Sequence, residues 1–156
     1  MRRVVLVAVI FASCFGGGCQ KTLGGISIPG LGAARPSDEE QIAMVLNDVQ
    51  AGLQSRKVFK VLANVSENYR DQDGRNYEGI RSYVQTMMKN YRAVRVTRAR
   101  PRIVVNGDRA RAIEAFGTIA EPFDAGGVPI NLQGHVSVYL ERTGGVWKIV
   151  EWGRLQ

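Results

Sequence analysis

The C-terminal stretch Gly134–Gly153 reads GHVSVYLERTGGVWKIVEWG. Val136, Val138 and Leu140 alternate with His135, Ser137, Tyr139 and Glu141, the period-two pattern of a strand with one apolar face. Thr143-Gly144-Gly145 follows, and glycine enters the φ > 0 conformations of a tight hairpin turn at little cost. Val146–Trp152 is rich in β-branched and aromatic residues and predicts a second strand returning along the first. Strict alternation puts Trp147, Ile149 and Glu151 on one face of that strand, with Val136, Val138 and Leu140 completing the core. His135 then shares the opposite, outer face with Ser137 and Tyr139.

Upstream of this hairpin the periodicity changes. Ser37 followed three residues later by Glu40 predicts a capping box, and Ile42, Val45, Leu46, Val49 and Leu53 recur on one face of the helix it opens. A shorter helix follows Ser55, with Val58, Val61, Leu62 and Val65 on its apolar side. Residues 69–74 run from an extended piece into a turn. A third helix spans about Tyr77–Tyr91, with Ile80, Tyr83, Val84, Met87 and Tyr91 on one face. The period then becomes two. Ala93–Val105 predicts one strand or a bent pair, with Pro101 at a bulge or edge. Asn106-Gly107-Asp108 predicts a hairpin turn, Arg109–Ala120 the return strand and Glu121–Pro129 a loop. Three helices followed by a meander of at least four strands predict an α+β domain, helices on one face of a curved antiparallel sheet.

Composition bounds the chemistry. The chain has 156 residues, 45% hydrophobic and 22% charged, with a formal charge of +7, which suits one globular domain with a core. The two cysteines, Cys14 and Cys19, precede the domain, and His135 is the single histidine. That count excludes a Cys/His zinc site, Cys–His nucleophilic catalysis and a haem-attachment motif in the domain. No cofactor or metal site is implied.

The N-terminus reads as an address. Arg2 and Arg3 precede an apolar run over Val4–Ala12, the length of a signal-peptide core and too short to cross a bilayer. Small residues then lead to Cys14 and Cys19, as in a bacterial lipoprotein signal. We expect residues 1–18 to be the signal and Cys19 the lipidated residue, with Cys14 as the alternative. An ordinary secretory signal, giving a soluble periplasmic or secreted protein, is the plainer reading. Removal of residues 1–18 takes away Arg2 and Arg3 and leaves 19 basic against 14 acidic residues. Residues 19–36 are glycine-rich with two prolines and read as a flexible linker with a reach of roughly 20–25 Å. The expected domain is then 37–156, held at the membrane of the cell envelope by an N-terminal lipid.

The amphipathic helix over residues 39–53, the run VFKVLANVSENYRDQDG (58–74), the helix YEGIRSYVQTMM (77–88) and the strand GGVWKIVEW (144–152) together resemble the nuclear-transport-factor-2-like superfamily. That superfamily also holds ketosteroid isomerases, scytalone dehydratase and polyketide cyclases. The resemblance implies a conical pocket between the concave sheet face and the helices, and frequent homodimerisation through the opposite sheet face. Val49, Tyr69, Tyr83, Met87, Glu114, Phe116, Trp147 and Ile149 are the expected lining. The steroid-isomerase residue pattern is not matched: its tyrosine position falls near Val49 and its protonated acid near Val136 or Ser137.

The remaining candidates for proton transfer are Asp71 and Asp73, two apart beside Tyr69, and Glu151. A carboxylate beside Trp147 and Ile149 would be desolvated, which raises its pKa. Glu114 shares a face with Ala112, Phe116 and Thr118. The plainer readings are solvated acids near a turn or at the sheet rim. Arg98, Arg100 and Arg102 share strand parity and suggest either an anion-binding stripe or a solvated outer sheet face. No RNA-recognition aromatics accompany them, and we expect no nucleic-acid partner. The leading expectation is a lipoprotein whose cone binds a small apolar ligand or an envelope protein. The alternatives are a dehydratase, isomerase or cyclase using a pocket carboxylate, and a structural dimerisation module.

Overall fold

The computed structural model describes residues 35–154 and 156; the expected signal, Cys14, Cys19 and almost all of the expected linker lie outside the described residues. Helix α1 spans Asp38–Gln54, α2 Val58–Leu62 and α3 Tyr77–Asn90. Strands follow as β1 Tyr91–Arg98, β2 Arg102–Asn106, β3 Arg109–Pro122, β4 Ile130–Thr143 and β5 Val146–Trp152. Among the described residues no helix is long and apolar enough to cross a membrane.

Local chemistry sets the ends of these elements. Ser37 and Glu40 form the reciprocal capping box at the start of α1, Glu40 N donating to Ser37 Oγ and Ser37 N to the Glu40 carboxylate, which satisfies two amides that the helix leaves unpaired. The side chain of Asn76 caps α3 by accepting from Gly79 N. Pro101 lacks the amide a ladder needs, and of the two forms expected for Ala93–Val105 the structure has the bent pair: β1 and β2 lie successively along the same edge of β3.

The sheet is antiparallel and curled, in the order β1-β3-β4-β5, with β2 also on β3. Its inner face carries Val94 and Val96, then Ala110, Ala112 and Ala120, then Val136, Val138 and Leu140, then Trp147 and Ile149, all buried. Helix α1 lays Ile42, Val45, Leu46 and Val49 against that face. Gln50 and Gln54 tie α1 to the sheet as well: Gln50 Nε2 donates to Val96 O at 2.8 Å and Val96 N donates to Gln54 Oε1 at 3.1 Å.

Strand β5 would leave an unpaired edge, which proteins must cover. Residues 64–70 run along it. Ile149 N donates to Asn64 O, Ser66 N to Ile149 O and Arg70 N to Val150 O, at 2.8–2.9 Å.

One irregularity in β5 controls the site. Leu140 pairs with Ile149, but Tyr139 pairs with Glu151 and Val138 with Trp152. Val150 is therefore an extra residue, a β-bulge that shifts the alternation by one.

Candidate functional site

Between α3, the segment after α2 and the inner sheet face lies a cavity of about 580 Å³. Its walls are Leu53, Ile80, Val84, Met87, Val94, Phe116, Ile130, Leu132, Val136 and Trp152, and its rim carries Tyr83, Asp71, Asp73, Arg75 and Arg154. A smaller chamber of about 150 Å³ lies beside it, lined by Leu46, Val49, Gln50, Val96, Arg98 and Glu114. Leu53, Phe116, Thr118, Val136 and Trp152 line both spaces.

The rim is a closed ionic network. Asp71 Oδ1 accepts from Asp73 N at 3.0 Å and Arg75 N at 2.8 Å. Its Oδ2 accepts from the Tyr69 hydroxyl at 3.2 Å and from Arg75 Nη1 at 2.8 Å. Arg75 Nη2 also meets Asp73 at 3.0 Å, and Arg154 Nε donates to Asp73 Oδ1 at 3.0 Å. The turn that gathers these groups requires Gly74, at φ 80°, a conformation glycine adopts without Cβ strain. Burial, the largest single influence on Asp71, pushes its carboxyl upward. The Arg75 amide, the Arg75 guanidinium and the Tyr69 hydroxyl together outweigh it and hold the group below its ordinary value. Burial and then the Asp71 charge hold the Tyr69 phenol well above its usual range. The hydrogen bond to Asp71 raises Arg75 in turn.

A carboxyl whose folded pKa is depressed stabilises the fold fully above its unfolded value, here 3.8, and that contribution disappears as pH falls through the lower folded value. Asp71→Asn is therefore expected to flatten the acid limb of stability between roughly pH 2 and 5. Urea midpoints measured across that range test it; parallel pH profiles for the two proteins would refute it.

In the inner chamber, Glu114 is 6% exposed and meets the buried side chain of Arg98. Arg98 Nε donates to Glu114 Oε2 at 2.8 Å, and Nη2 lies 2.6 Å from the same oxygen. Arg98 Nη1 donates to Asn47 Oδ1 at 3.2 Å and Gln50 Oε1 at 3.4 Å.

A helical layer over a curled antiparallel sheet, enclosing a cavity between them, narrows the fold to a small set. The sequence model of the family described as the SnoaL-like domain matches residues 43–153. The chain belongs to the SnoaL-like domain family. Its α+β cone is that of the nuclear-transport-factor-2-like superfamily. A superfamily protein from Salmonella enterica is 19% identical over 74% of this chain and 87% of its own, with a TM-score of 0.63. A protein from Novosphingobium aromaticivorans provisionally named a scytalone dehydratase is 14% identical over 74% and 82%, at 0.66. A type 2 hexachlorocyclohexane dehydrochlorinase is 17% identical over 72% and 80%, at 0.62. At these identities the likeness is one of fold. No curated protein matches the sequence.

Within this SnoaL-like domain the expected site residues separate into three groups. Tyr69, Asp71, Asp73, Tyr83, Met87 and Phe116 line the outer cavity, and Val49, Glu114 and Phe116 the inner chamber. Trp147 and Ile149 are 1% and 0% exposed and belong to the packed core, outside the lining of both spaces. Glu151 does not share their face. The bulge at Val150 turns it outward opposite Tyr139, where its Oε1 accepts from Gln72 Nε2 at 3.2 Å, and turns Trp152 inward instead. His135 is exposed on the outer sheet face.

The arginine stripe is also corrected. Arg98 follows Val94 and Val96 to the inner face and ends β1, while Arg100, in the connection, and Arg102, which opens β2, are exposed. Arg98, Trp152 and Gln50 are site residues that a reading of faces from strict alternation and charge missed. The signal for Arg98 was its spacing from two valines. For Trp152 it was the cost of leaving a tryptophan outside and a glutamate inside. Among the described residues, no three His, Cys, Asp and Glu side chains gather as a metal-ligand set.

Proposed function

We propose that this SnoaL-like domain is the ligand-binding part of a membrane-anchored lipoprotein of the bacterial cell envelope, taking a small apolar or amphipathic molecule into its cone. The observation that carries this reading is the outer cavity. Its volume of about 580 Å³ lies in the ordinary range for small-molecule sites, and its walls are apolar behind a charged rim. A general base must be free to take a proton from the substrate. Asp71 has both oxygens doubly occupied, Asp73 is shared between two arginines, and Glu151 faces away. A binding role needs from this rim only a neutralised, ordered entrance. The N-terminal sequence through Cys19 supports the anchored half of the proposal, because acyl chains contribute about 0.8 kcal/mol per buried CH₂ and several together hold a protein at a membrane.

Two measurements test the proposal. Protein purified from its own membranes, then denatured and extracted, should release a small apolar compound detectable by mass spectrometry. Metabolic palmitate labelling should be lost when Cys14 and Cys19 are both replaced by serine. Absence of any extractable compound and failure to bind an apolar fluorescent probe would remove the ligand reading; labelling that survives both replacements would remove the anchor.

A second reading, an enzyme of the dehydratase or isomerase type, is favoured by the names dehydratase and dehydrochlorinase attached to similar structures and by the buried carboxylate of Glu114. A bound compound recovered with unchanged mass and an unchanged NMR spectrum after prolonged incubation with the protein would oppose it.

A further inference from the structure

We infer that the inner chamber recognises a single uncharged hydroxyl carried by an apolar ligand, with Glu114 Oε1 as the acceptor. The inference rests on the reading of the cone as a ligand cavity and adds the chemical class of what it takes.

The geometry of the ion pair carries the argument. A guanidinium and a carboxylate usually meet as two parallel forks, one N–H to each oxygen. Here both Nε and Nη2 of Arg98 converge on Oε2 of Glu114, at 2.8 and 2.6 Å. No side chain or amide of the described residues hydrogen-bonds Oε1. Glu114 is 6% exposed and lines the chamber, so the little surface it keeps is cavity surface. Oε1 therefore faces the chamber space, and a ligand donor that reaches it there completes a hydrogen bond that no described protein group makes.

Two neighbouring donors are already engaged elsewhere. Arg98 Nη1 is committed to Asn47 and Gln50, and Gln50 Nε2 to the carbonyl of Val96. Thr118 is on the same face of β3 but four residues away, about 13 Å along a strand.

The charge of the ligand follows from the same pair. Arg98 and Glu114 compensate each other. An anionic end would meet the carboxylate at close range, and a cationic end would lose its hydration in a chamber whose other walls are Leu46, Val49 and Val96. An uncharged O–H adds no net charge and supplies the missing donor. The two spaces share Phe116, Val136 and Trp152, so the apolar body of the same molecule extends into the outer cavity. A phenol or alicyclic alcohol has this shape and polarity.

Binding of 2-naphthol, naphthalene, 2-methoxynaphthalene and 2-naphthoate to the full-length protein tests the inference by calorimetry or tryptophan fluorescence. A hydrogen bond to a charged acceptor predicts that 2-naphthol binds about tenfold to hundredfold more tightly than naphthalene or the methyl ether, although it is the more water-soluble. Naphthoate should bind more weakly than 2-naphthol. The double variant Arg98→Met, Glu114→Leu should lose the preference for naphthol. Equal affinity for the three neutral compounds overturns the inference and leaves the ligand cavity standing. No binding by any of them overturns both. Preference retained in the double variant removes Glu114 as the acceptor. The comparison among ligands needs only the unmodified protein, so it decides even where the variant does not fold.

Discussion

Arg98→Met alone is expected to destabilise the domain by about 3–5 kcal/mol, and Arg98→Met with Glu114→Leu to recover most of that loss. Removing one member of a buried ion pair leaves the other charge in a low-dielectric site with nothing to compensate it. Glu114 is 6% exposed and the Arg98 side chain 9%, so the orphaned carboxylate would find little water. Replacing both with apolar groups of similar volume removes the desolvation penalty together with the attraction, and such exchanges are often neutral or better. For a domain of this size the single variant should melt on the order of 10 °C or more below the parent. Urea midpoints at unchanged slope are the measurement. A single variant as stable as the parent would mean that water reaches the pair freely. A double variant worse than the single would mean that the pair fixes the geometry of β1 against β3 beyond its charge balance.

Trp147→Ala is expected to cost about 3–5 kcal/mol by the same assay. Trp147 is 1% exposed and among the largest fully buried side chains. Its indole N–H donates to Asp38 Oδ1 at 3.2 Å, and the Arg142 guanidinium sits 4.6 Å from its ring centroid while reaching Asp38 Oδ2 at 2.6 Å. The side chain therefore fills the core and also joins β5 to the first turn of α1. Trp147→Phe separates the two roles. It keeps most of the apolar volume and should lose only about 1–2 kcal/mol, the order of one hydrogen bond with its partner left unpaired. Equal losses for Ala and Phe would place the stability in the polar junction and not in packing.

The pairing of the closing hairpin, the capping box at Ser37 and Glu40 and the kink at Pro101 were all legible in the residues, because each depends on interactions within a few positions of the chain. The faces of the site were legible only as far as periodicity held. Val136, Val138 and Leu140 face inward as their alternation requires. Counting by two from Trp147 carries Glu151 inward and Trp152 outward, and the structure has the reverse because Val150 is unpaired. A bulge has no strong local signature. It shows only as apolar residues three apart, Ile149 and Trp152, where two or four would be regular. Arg98 was misread for a different reason. A run of arginines suggests a solvated surface, yet the partner that makes burial tolerable, Glu114, is sixteen residues away and becomes visible only once β1 and β3 are in register. The donors around Asp71 all lie within four residues of it, but the burial of Tyr69 against Trp152 of β5 is non-local.

Residues 64–70 cover the free edge of β5 through backbone bonds at Asn64, Ser66 and Arg70, and the same segment runs directly into Tyr69 and Asp71 at the cavity rim. Opening the rim on this side would break hydrogen bonds to the sheet, so the amides of Ser66, Arg70 and Ile149 are expected to exchange together with those of β5 in a hydrogen-exchange measurement. The opposite wall, α3, is held by the packing of Ile80, Val84 and Met88 and by its continuation into β1. The two walls of the cavity are therefore held by different forces: the one beside β5 by backbone hydrogen bonds to the sheet, and α3 by the burial of its apolar side chains.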